Sequence, residues 1–312
     1  MASSSPISAD RTAGGLEIRP MSVSTGAEIF GVDLKQPLQD RAVEDIRAAL
    51  LKWKVVFFRE QNLDHAQHVA FARRLGKPTV GHVLYGHEEG FPEVYSVAKR
   101  RERHTHADLK PLRPWSGWHT DLTTILNPPA ISILRGVTIP PYGGDTHFAN
   151  LVAAYAALSP TMQAFVDGLR GVHGYGNVTG NALTQTNRKS FSTEHPLVRV
   201  HPESGERALY VSPEFLKSIV GLSARESEQI LELLFEHLVR PEFVVRFRWN
   251  AGDIAMWDNR STAHLAPEDI FETDFDRQLY RVTLVGDIPV GVDGAASTPI
   301  VGDMLGPAEG TD

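Results

Sequence analysis

The sequence predicts a mainly β domain with flanking helices. Apolar runs of strand length outnumber the helical patterns and do not alternate regularly with them. Along residues 243–249 every second residue is apolar or aromatic, and Arg246 and Arg248 occupy two of the positions between. This alternation is typical of a strand that buries one face. The irregular order disfavours a doubly wound sheet or a barrel of alternating strands and helices. We therefore expect a β-barrel or β-sandwich with a few helices packed against it.

Short apolar runs bounded by turn residues predict the strands. We expect strands at Val55–Phe58, Glu93–Val97, Ala130–Val137, Leu197–His201, Ala208–Ser212, Phe243–Trp249, Asp253–Trp257 and Leu279–Val285. Capping residues predict where the helices begin. The expected starts are Asp40, Asp64, Ser159 with Pro160 after it, and Ser223 with Glu226 as its capping-box partner.

The chain of 312 residues is long enough to bury a substantial core. Both of its ends are rich in small residues and have little to bury. We therefore expect a disordered tail over 1–14, one domain over 15–289, and a flexible tail over 290–312.

The composition excludes several classes of function. The chain has 31 Lys and Arg against 38 Asp and Glu, and this net charge of −7 disfavours nucleic acid as a partner. It contains no cysteine, which excludes disulfides, thiolate nucleophiles and iron–sulfur clusters. No apolar run approaches the ~20 residues that span a bilayer, and the N-terminal residues lack the apolar segment of a secretory signal. We expect a cytoplasmic protein with no membrane partner.

The segment Trp118–Asp121 contains a motif that indicates metal binding. His119 and Asp121 are two residues apart, so in an extended segment both side chains project to the same side. Two His and one carboxylate on one face of a metal are the ligands of non-haem Fe(II) oxygenases. The second His must come from elsewhere, and the best candidate is His264, which follows an apolar strand. Taken separately these signals are weak, since a single downstream His is more often a surface or capping residue.

Arg277, Leu279 and Arg281 share one face of the last predicted strand. Two arginines that point into a barrel are costly unless each meets an anion. A guanidinium binds a carboxylate through paired hydrogen bonds, which suits a diacid cosubstrate or an acidic substrate. The alternative is an edge strand with two solvated arginines.

Taken in order, these segments resemble the taurine dioxygenase (TauD/TfdA) family of Fe(II)- and 2-oxoglutarate-dependent dioxygenases. The likeness covers nearly the whole chain. The matching segments are Gly26–Ile29, Gly31–Leu34, Trp118–Asp121, Gly143–Thr146, Trp257–Arg260, His264 and the Arg277/Arg281 pair. The family fold is the double-stranded β-helix, or jelly roll, which agrees with the strand-rich prediction.

The resemblance implies how iron and the cosubstrates bind. His119, Asp121 and His264 would bind Fe(II). Arg277 would hold the distal carboxylate of 2-oxoglutarate, with Thr146 as a second contact, and O2 would be the other cosubstrate.

The resemblance also implies residues that contact substrate. His82, Tyr85 and Arg281 match the residues that hold taurine in the family. Trp115 departs from the pattern, because taurine dioxygenase has an asparagine there and an indole cannot accept a hydrogen bond from an ammonium group. The segment between Tyr85 and Trp115 also looks longer than in the taurine enzymes, and residues 86–114 raise the question of a lid. Both departures argue against taurine itself and favour an alkyl sulfate ester, a longer alkanesulfonate or an aryloxyalkanoate.

The implied reaction is hydroxylation coupled to decarboxylation of 2-oxoglutarate to succinate and CO2. If the hydroxylated carbon bears a sulfonate or a sulfate oxygen, the product collapses to an aldehyde and releases sulfite or sulfate. Two other classes stay open, a zinc hydrolase with the same three ligands and a non-catalytic protein that binds a small acid. Members of the family are often dimers or tetramers, so we expect a homo-oligomer.

Overall fold

Two β-sheets packed face to face form the jelly roll that the resemblance implies. The structure, a computed structural model, describes residues 10–83, 85–99, 113–174 and 191–308. Its strands are β1 (Asp10–Arg11), β2 (Glu17–Pro20), β3 (Ala27–Phe30), β4 (Val55–Phe58), β5 (Tyr95–Ala98), β6 (Ile131–Thr138), β7 (Thr146–Asn150), β8 (Arg170–Gly174), β9 (Ser192–Pro196), β10 (Val198–Val200), β11 (Arg207–Leu209), β12 (Leu216–Ile219), β13 (Val244–Phe247), β14 (Ile254–Asp258), β15 (Thr262–Leu265), β16 (Gln278–Thr283) and β17 (Thr298–Val301). Its helices are α1 (Asp40–Trp53), α2 (His65–Arg73), α3 (Leu151–Ala156), α4 (Pro160–Asp167) and α5 (Ala224–Leu238).

An aromatic layer lies between the two sheets. Within the described ranges the large sheet has the order β1-β2-β3-β4-β14-β6-β16-β5, and the sheet that faces it across this layer has the order β13-β7-β15. Two further sheets have the orders β12-β8-β9-β17 and β10-β11. The ring of Phe57 on β4 stacks on that of Phe247 on β13, with centroids 4.1 Å apart. Trp257 on β14 is buried in the same cluster. The other face of the large sheet packs against α1, where Ile46 and Leu50 join a second apolar cluster.

Each strand predicted from the sequence is present; Val55–Phe58 has the predicted bounds, and the ends of the others are shifted by a few residues. The prediction missed strands such as β7 and β15, which have the sequences THFAN and TAHL and lack a strong apolar pattern. These two strands pair with each other, and β7 pairs with β13 on its other side. Their extended conformation therefore depends on long-range hydrogen bonding more than on the propensity of their own residues.

The expected cap of α1 is wrong. Gln39 occupies the N-cap position and makes no side-chain cap hydrogen bond. Asp40 lies in the first turn instead, where a carboxylate interacts favourably with the helix dipole, and it accepts a hydrogen bond from Arg74 at 2.5 Å. The caps expected for the other three helices are confirmed.

Both ends of the described chain make backbone contacts with neighbouring strands. At the N-terminal end β1 pairs with β2, and the amide of Gly14 donates to Asp45 at 2.9 Å. At the C-terminal end β17 pairs with β9. The backbone of Leu305 exchanges two hydrogen bonds with the side-chain amide of Asn127, at 2.7 and 2.9 Å. These hydrogen bonds satisfy buried backbone groups of residues within 10–14 and 290–308. The expected tails over 1–14 and 290–312 and the domain limits at 15 and 289 stay predictions.

Two further expectations concern a possible lid and the membrane. Residues 100–112 of the expected 86–114 loop lie outside the described residues, so its role as a lid stays a prediction. Among the helices of the described ranges, none combines the length and the apolar character needed to cross a membrane.

Candidate active site

A pair of backbone hydrogen bonds brings His119 and His264 together. His264 lies on β15, and His119 lies in the segment beside it. The amide of His119 donates to the carbonyl of His264 at 2.9 Å, and the amide of His264 donates to the carbonyl of His119 at 2.7 Å. The two imidazole rings therefore lie side by side, with centroids 4.2 Å apart.

Asp121 completes a group of three candidate metal ligands. One ligand atom each from His119, Asp121 and His264 lies within 4.8 Å of the other two. The Nε2 atom of His264 is 3.9 Å from Oδ1 of Asp121. The Nδ1 atom of His119 hydrogen-bonds to the carbonyl of Gly117 at 2.9 Å, and this orients Nε2 as the ligand atom. Two imidazoles and one carboxylate in this arrangement fit Fe(II).

The protonation states of His264 and Asp121 suit a metal ion. Burial, and then the neighbouring His119, lower the pKa of His264 to about 3. Burial alone would raise the pKa of Asp121, but Arg281 and the two histidines hold it well below its usual range. At neutral pH His264 is therefore neutral and Asp121 ionised, and these are the forms that bind a cation.

Asp121 makes side-chain hydrogen bonds that the sequence analysis did not predict. Ser132 Oγ donates to its Oδ2 at 2.6 Å, and Nη1 of Arg281 donates to its Oδ1 at 2.5 Å. Ser132 is fully buried on β6. No local motif marks this serine, because its partner lies in a segment outside the strand.

Arg281 is placed to bind an acid beside the three candidate ligands. Its Nε atom is buried and has no hydrogen-bond partner among the described residues. Its guanidinium lies 5.5 Å from the ring centroid of Tyr95. Burial, and then the charge of Arg281, lower the pKa of His82 to about 4. His82 is therefore neutral at pH 7 and able to donate a hydrogen bond to an acid group.

The rings of His82, Tyr85 and Tyr95 form an aromatic cluster next to Arg281. The centroid of His82 is 4.6 Å from that of Tyr85 and 4.9 Å from that of Tyr95. The sequence analysis missed Tyr95, which lies directly opposite Arg281 in the pairing of β5 with β16. Only the strand register, which the sequence pattern did not provide, would have identified it.

Arg277 and Thr146 provide groups that suit a carboxylate. Arg277 is 8% exposed, and its Nε donates to the carbonyl of Gly144 at 3.0 Å. Burial lowers its pKa to about 10, and a buried guanidinium is costly unless an anion faces it. Thr146 Oγ1 accepts a hydrogen bond from the indole of Trp249 at 2.9 Å. Because an indole only donates, the hydroxyl hydrogen of Thr146 is directed elsewhere and can be donated to a carboxylate.

Trp115 packs away from the other predicted substrate residues. Its indole joins the apolar cluster around α3 and α5. Its nearest ring neighbour there is Phe235, with centroids 6.4 Å apart, and the guanidinium of Arg113 lies 5.9 Å from its ring. A role for Trp115 in substrate binding stays a prediction.

Comparison with known proteins gives consistent matches over most of the chain. The model of the family "Taurine catabolism dioxygenase TauD, TfdA family" matches residues 17–283. The alpha-ketoglutarate-dependent sulfate ester dioxygenase of Pseudomonas putida is 40% identical, over 90% of this chain and 93% of that protein. The alkylsulfatase of Acinetobacter baylyi is 36% identical, over 89% and 88%. The crystal structure of a taurine dioxygenase from Burkholderia xenovorans is 59% identical, with a TM-score of 0.82 over 92% of this chain and 97% of that one.

The jelly roll, the ligand group and these matches define a 2-oxoglutarate-dependent dioxygenase that uses Fe(II), 2-oxoglutarate and O2. Within this class, the chain belongs to the TauD/TfdA family. Membership decides between the classes that the residues left open, because it excludes the zinc hydrolase and the non-catalytic binder. The printed names of the relatives differ in substrate, so the substrate of this enzyme depends on its own residues.

Proposed function

We propose that this enzyme hydroxylates alkyl sulfate esters at the carbon that bears the sulfate oxygen. One O2 and one 2-oxoglutarate are consumed, and succinate and CO2 are formed. The hydroxylated ester then breaks its C–O bond to sulfate and gives an aldehyde, sulfate and a proton. The observation that carries the proposal is Arg281, whose guanidinium lies beside the candidate metal ligands and whose buried Nε has no partner in the described part of the chain.

In this proposal His119, Asp121 and His264 hold the iron, as their spacing supports. When bound, Fe(II) and 2-oxoglutarate supply the chemistry that activates O2 and inserts one oxygen atom into a C–H bond. Two imidazoles and one carboxylate occupy one face of the metal and leave the opposite positions for cosubstrate and O2.

Arg277 and Thr146 bind the distal carboxylate of 2-oxoglutarate in this proposal. The guanidinium supplies charge and the hydroxyl of Thr146 supplies a neutral donor. The backbone carbonyl of Gly144 orients Arg277 through its Nε, at 3.0 Å. This contact leaves the two terminal nitrogens of the guanidinium for the carboxylate.

Arg281 and His82 hold the sulfate group of the substrate in this proposal. A sulfate monoester carries one negative charge and three acceptor oxygens, and it is matched by a guanidinium and a neutral imidazole that donates. The ring of Tyr85 packs against that of His82, and because this side chain is 48% exposed it can also contact an entering substrate. These positions restrict the hydroxylated carbon to the neighbourhood of the candidate iron ligands.

An apolar surface beside the acid-binding groups supports a substrate with a hydrocarbon part. Leu122 follows Asp121 and packs with Ile125, Phe191 and Leu305. Val83, which follows His82, packs against the same cluster. A cavity of about 210 Å³ is lined by four of these side chains together with Met304 and Asp303. An alkyl chain would gain free energy by burying its apolar area against the apolar part of this lining.

The test measures three products from purified enzyme loaded with Fe(II) under controlled O2. Each substrate of a panel is supplied with 2-oxoglutarate, and succinate, aldehyde and sulfate or sulfite are quantified. The panel contains hexyl sulfate, hexanesulfonate, 2,4-dichlorophenoxyacetate and taurine. We expect hexyl sulfate to have the highest kcat/KM, with one sulfate and one aldehyde per succinate. A higher kcat/KM for taurine or for the aryloxy acid would refute the sulfate ester proposal. Cytoplasmic location and homo-oligomeric state stay predictions.

A further inference from the structure

A directional chain of hydrogen bonds ends on Asp121. The indole Nε1 of Trp257 donates to Asn259 Oδ1 at 2.9 Å. Asn259 Nδ2 donates to Ser132 Oγ at 2.8 Å, and Ser132 Oγ donates to Asp121 Oδ2 at 2.6 Å. All four side chains are at most 3% exposed, so water does not compete for these bonds.

Trp257, the first residue of this hydrogen-bond series, sets the donor-to-acceptor direction of the hydrogen bonds that follow. An indole N–H can only donate, so it fixes the carbonyl oxygen of the Asn259 amide towards Trp257. The NH2 group of Asn259 then points to Ser132 and occupies an acceptor site of its hydroxyl. The hydroxyl hydrogen of Ser132 is thereby directed to the carboxylate of Asp121. The backbone amide of Asp121 also donates to Asn259 Oδ1, at 3.4 Å, which adds to the fixed orientation of the amide.

The pairing of β14 with β6 brings these hydrogen-bonded side chains together. Trp257 and Ser132 lie directly opposite each other in the antiparallel pairing of β14 with β6. Asn259 follows two residues after Trp257, just beyond the end of β14. Ser132 stands among the apolar residues of β6, where a hydroxyl is costly to bury unless it is fully hydrogen-bonded.

We infer that Ser132, oriented by Asn259, is a positioning residue that makes Asp121 a one-oxygen ligand. Ser132 holds Oδ2, while Oδ1, which also accepts from Nη1 of Arg281 at 2.5 Å, faces the candidate ligand His264, 3.9 Å from its Nε2. A carboxylate held in this way presents one oxygen to the metal and does not rotate to bind with both. A metal position that a second carboxylate oxygen would fill stays available to cosubstrate. The inference rests on the proposed assignment of Asp121 as a metal ligand.

The test titrates the metal-free full-length protein with Co(II) in the absence of substrate. Affinity and coordination are read from the visible ligand-field absorption of bound Co(II), which changes with coordination number. The variants are Ser132→Ala, Asn259→Leu and Asp121→Ala. The matched control is Ser227→Ala, which also removes a buried serine hydroxyl that accepts one hydrogen bond, from the amide of Ile219 at 2.7 Å. Thermal unfolding of each metal-free variant measures its folding separately.

We expect Ser132→Ala and Asn259→Leu to bind Co(II) about 10- to 100-fold more weakly, as is usual when a group that orients a metal ligand is removed. Their absorption should change towards a higher coordination number. Ser227→Ala should match the parent in both affinity and absorption. If Ser132→Ala and Asn259→Leu bind Co(II) with an affinity within twofold of the parent while Asp121→Ala binds it weakly, the positioning role is refuted and the ligand assignment stands. Unchanged binding by Asp121→Ala would overturn the ligand assignment. If Ser132→Ala does not fold, the result for Asn259→Leu decides.

Discussion

Substitution of Gly144 by alanine should weaken 2-oxoglutarate binding through Arg277. A Cβ at position 144 would lie 2.9 Å from both Cδ and Nε of Arg277. Carbon–carbon contacts are optimal at ~3.5–4.0 Å, so the arginine has to move by several tenths of an ångström. Arg277 is 8% exposed, and the movement also disturbs the hydrogen bond from its Nε to the carbonyl of Gly144.

Two energies follow from this geometry. Residue 144 has φ of +69°, a left-handed conformation that costs an L-residue ~1–2 kcal/mol of folding free energy. A hydrogen bond to a charged group contributes ~1.5–3 kcal/mol, and each ~1.4 kcal/mol is a factor of ten in affinity. We therefore expect the KM for 2-oxoglutarate to rise by about 10- to 100-fold in Gly144→Ala. The kcat at saturating 2-oxoglutarate should change far less, because no candidate metal ligand is touched.

The neighbouring glycine provides a matched control. Gly143 has φ of +77°, so Gly143→Ala carries the same kind of backbone strain. Its added Cβ would meet only Asp269, at 3.6 Å or more. The assay measures succinate formation against 2-oxoglutarate concentration for both variants and the parent, with thermal unfolding alongside. Both variants should lose similar stability, while only Gly144→Ala should show the raised KM. An equal KM for 2-oxoglutarate in the two variants would refute the role given to Arg277.

Three further predictions concern the metal, the two arginines and the pH dependence of stability. Asp121→Ala should abolish Co(II) or Fe(II) binding, measured by equilibrium dialysis, while circular dichroism shows a folded protein; metal retained at parental affinity would contradict the ligand assignment. Arg281→Ala should mainly raise the KM for the acidic substrate and Arg277→Ala that for 2-oxoglutarate, so indistinguishable kinetic effects of the two would disprove the division of roles. Burial, and then the charge of Arg135, lower the pKa of His68 from 6.5 to about 3, so the folded state keeps this imidazole neutral. Its contribution to stability is therefore present above pH 6.5 and is lost as the pH falls towards 3, by up to ~1.4 kcal/mol per pH unit. Urea unfolding between pH 7 and 4 should show a shallower decline for His68→Gln than for the parent, and parallel declines would exclude this cause.

Much of the fold could be predicted because its signals are local. The run Val55–Phe58 is apolar throughout and forms β4 with those limits. Ser223 and Glu226 form the expected capping box at the start of α5. Such features depend on residues within one turn or one strand. Strands β7 and β15 were missed because their hydrogen-bonding partners, not their own side chains, hold them extended.

The candidate site likewise has some features that the sequence shows and others that only the fold provides. The spacing of His119 and Asp121 and the one-face pattern of Arg277 and Arg281 are visible in the chain itself. Tyr95 is different, because it meets Arg281 only through the register of β5 with β16.

The amino-acid sequence by itself determined the strand-rich class, most helix caps and the residue types proposed to bind iron and acids, since periodicity and spacing are properties of neighbouring residues. Only the tertiary structure decided how these residues act together. It placed His264 beside His119 through two backbone hydrogen bonds, and it brought Ser132 onto the carboxylate of Asp121 and Asn259 onto Ser132. Hydrogen bonds depend on distance and direction between groups that are far apart in the chain, and folding alone sets both.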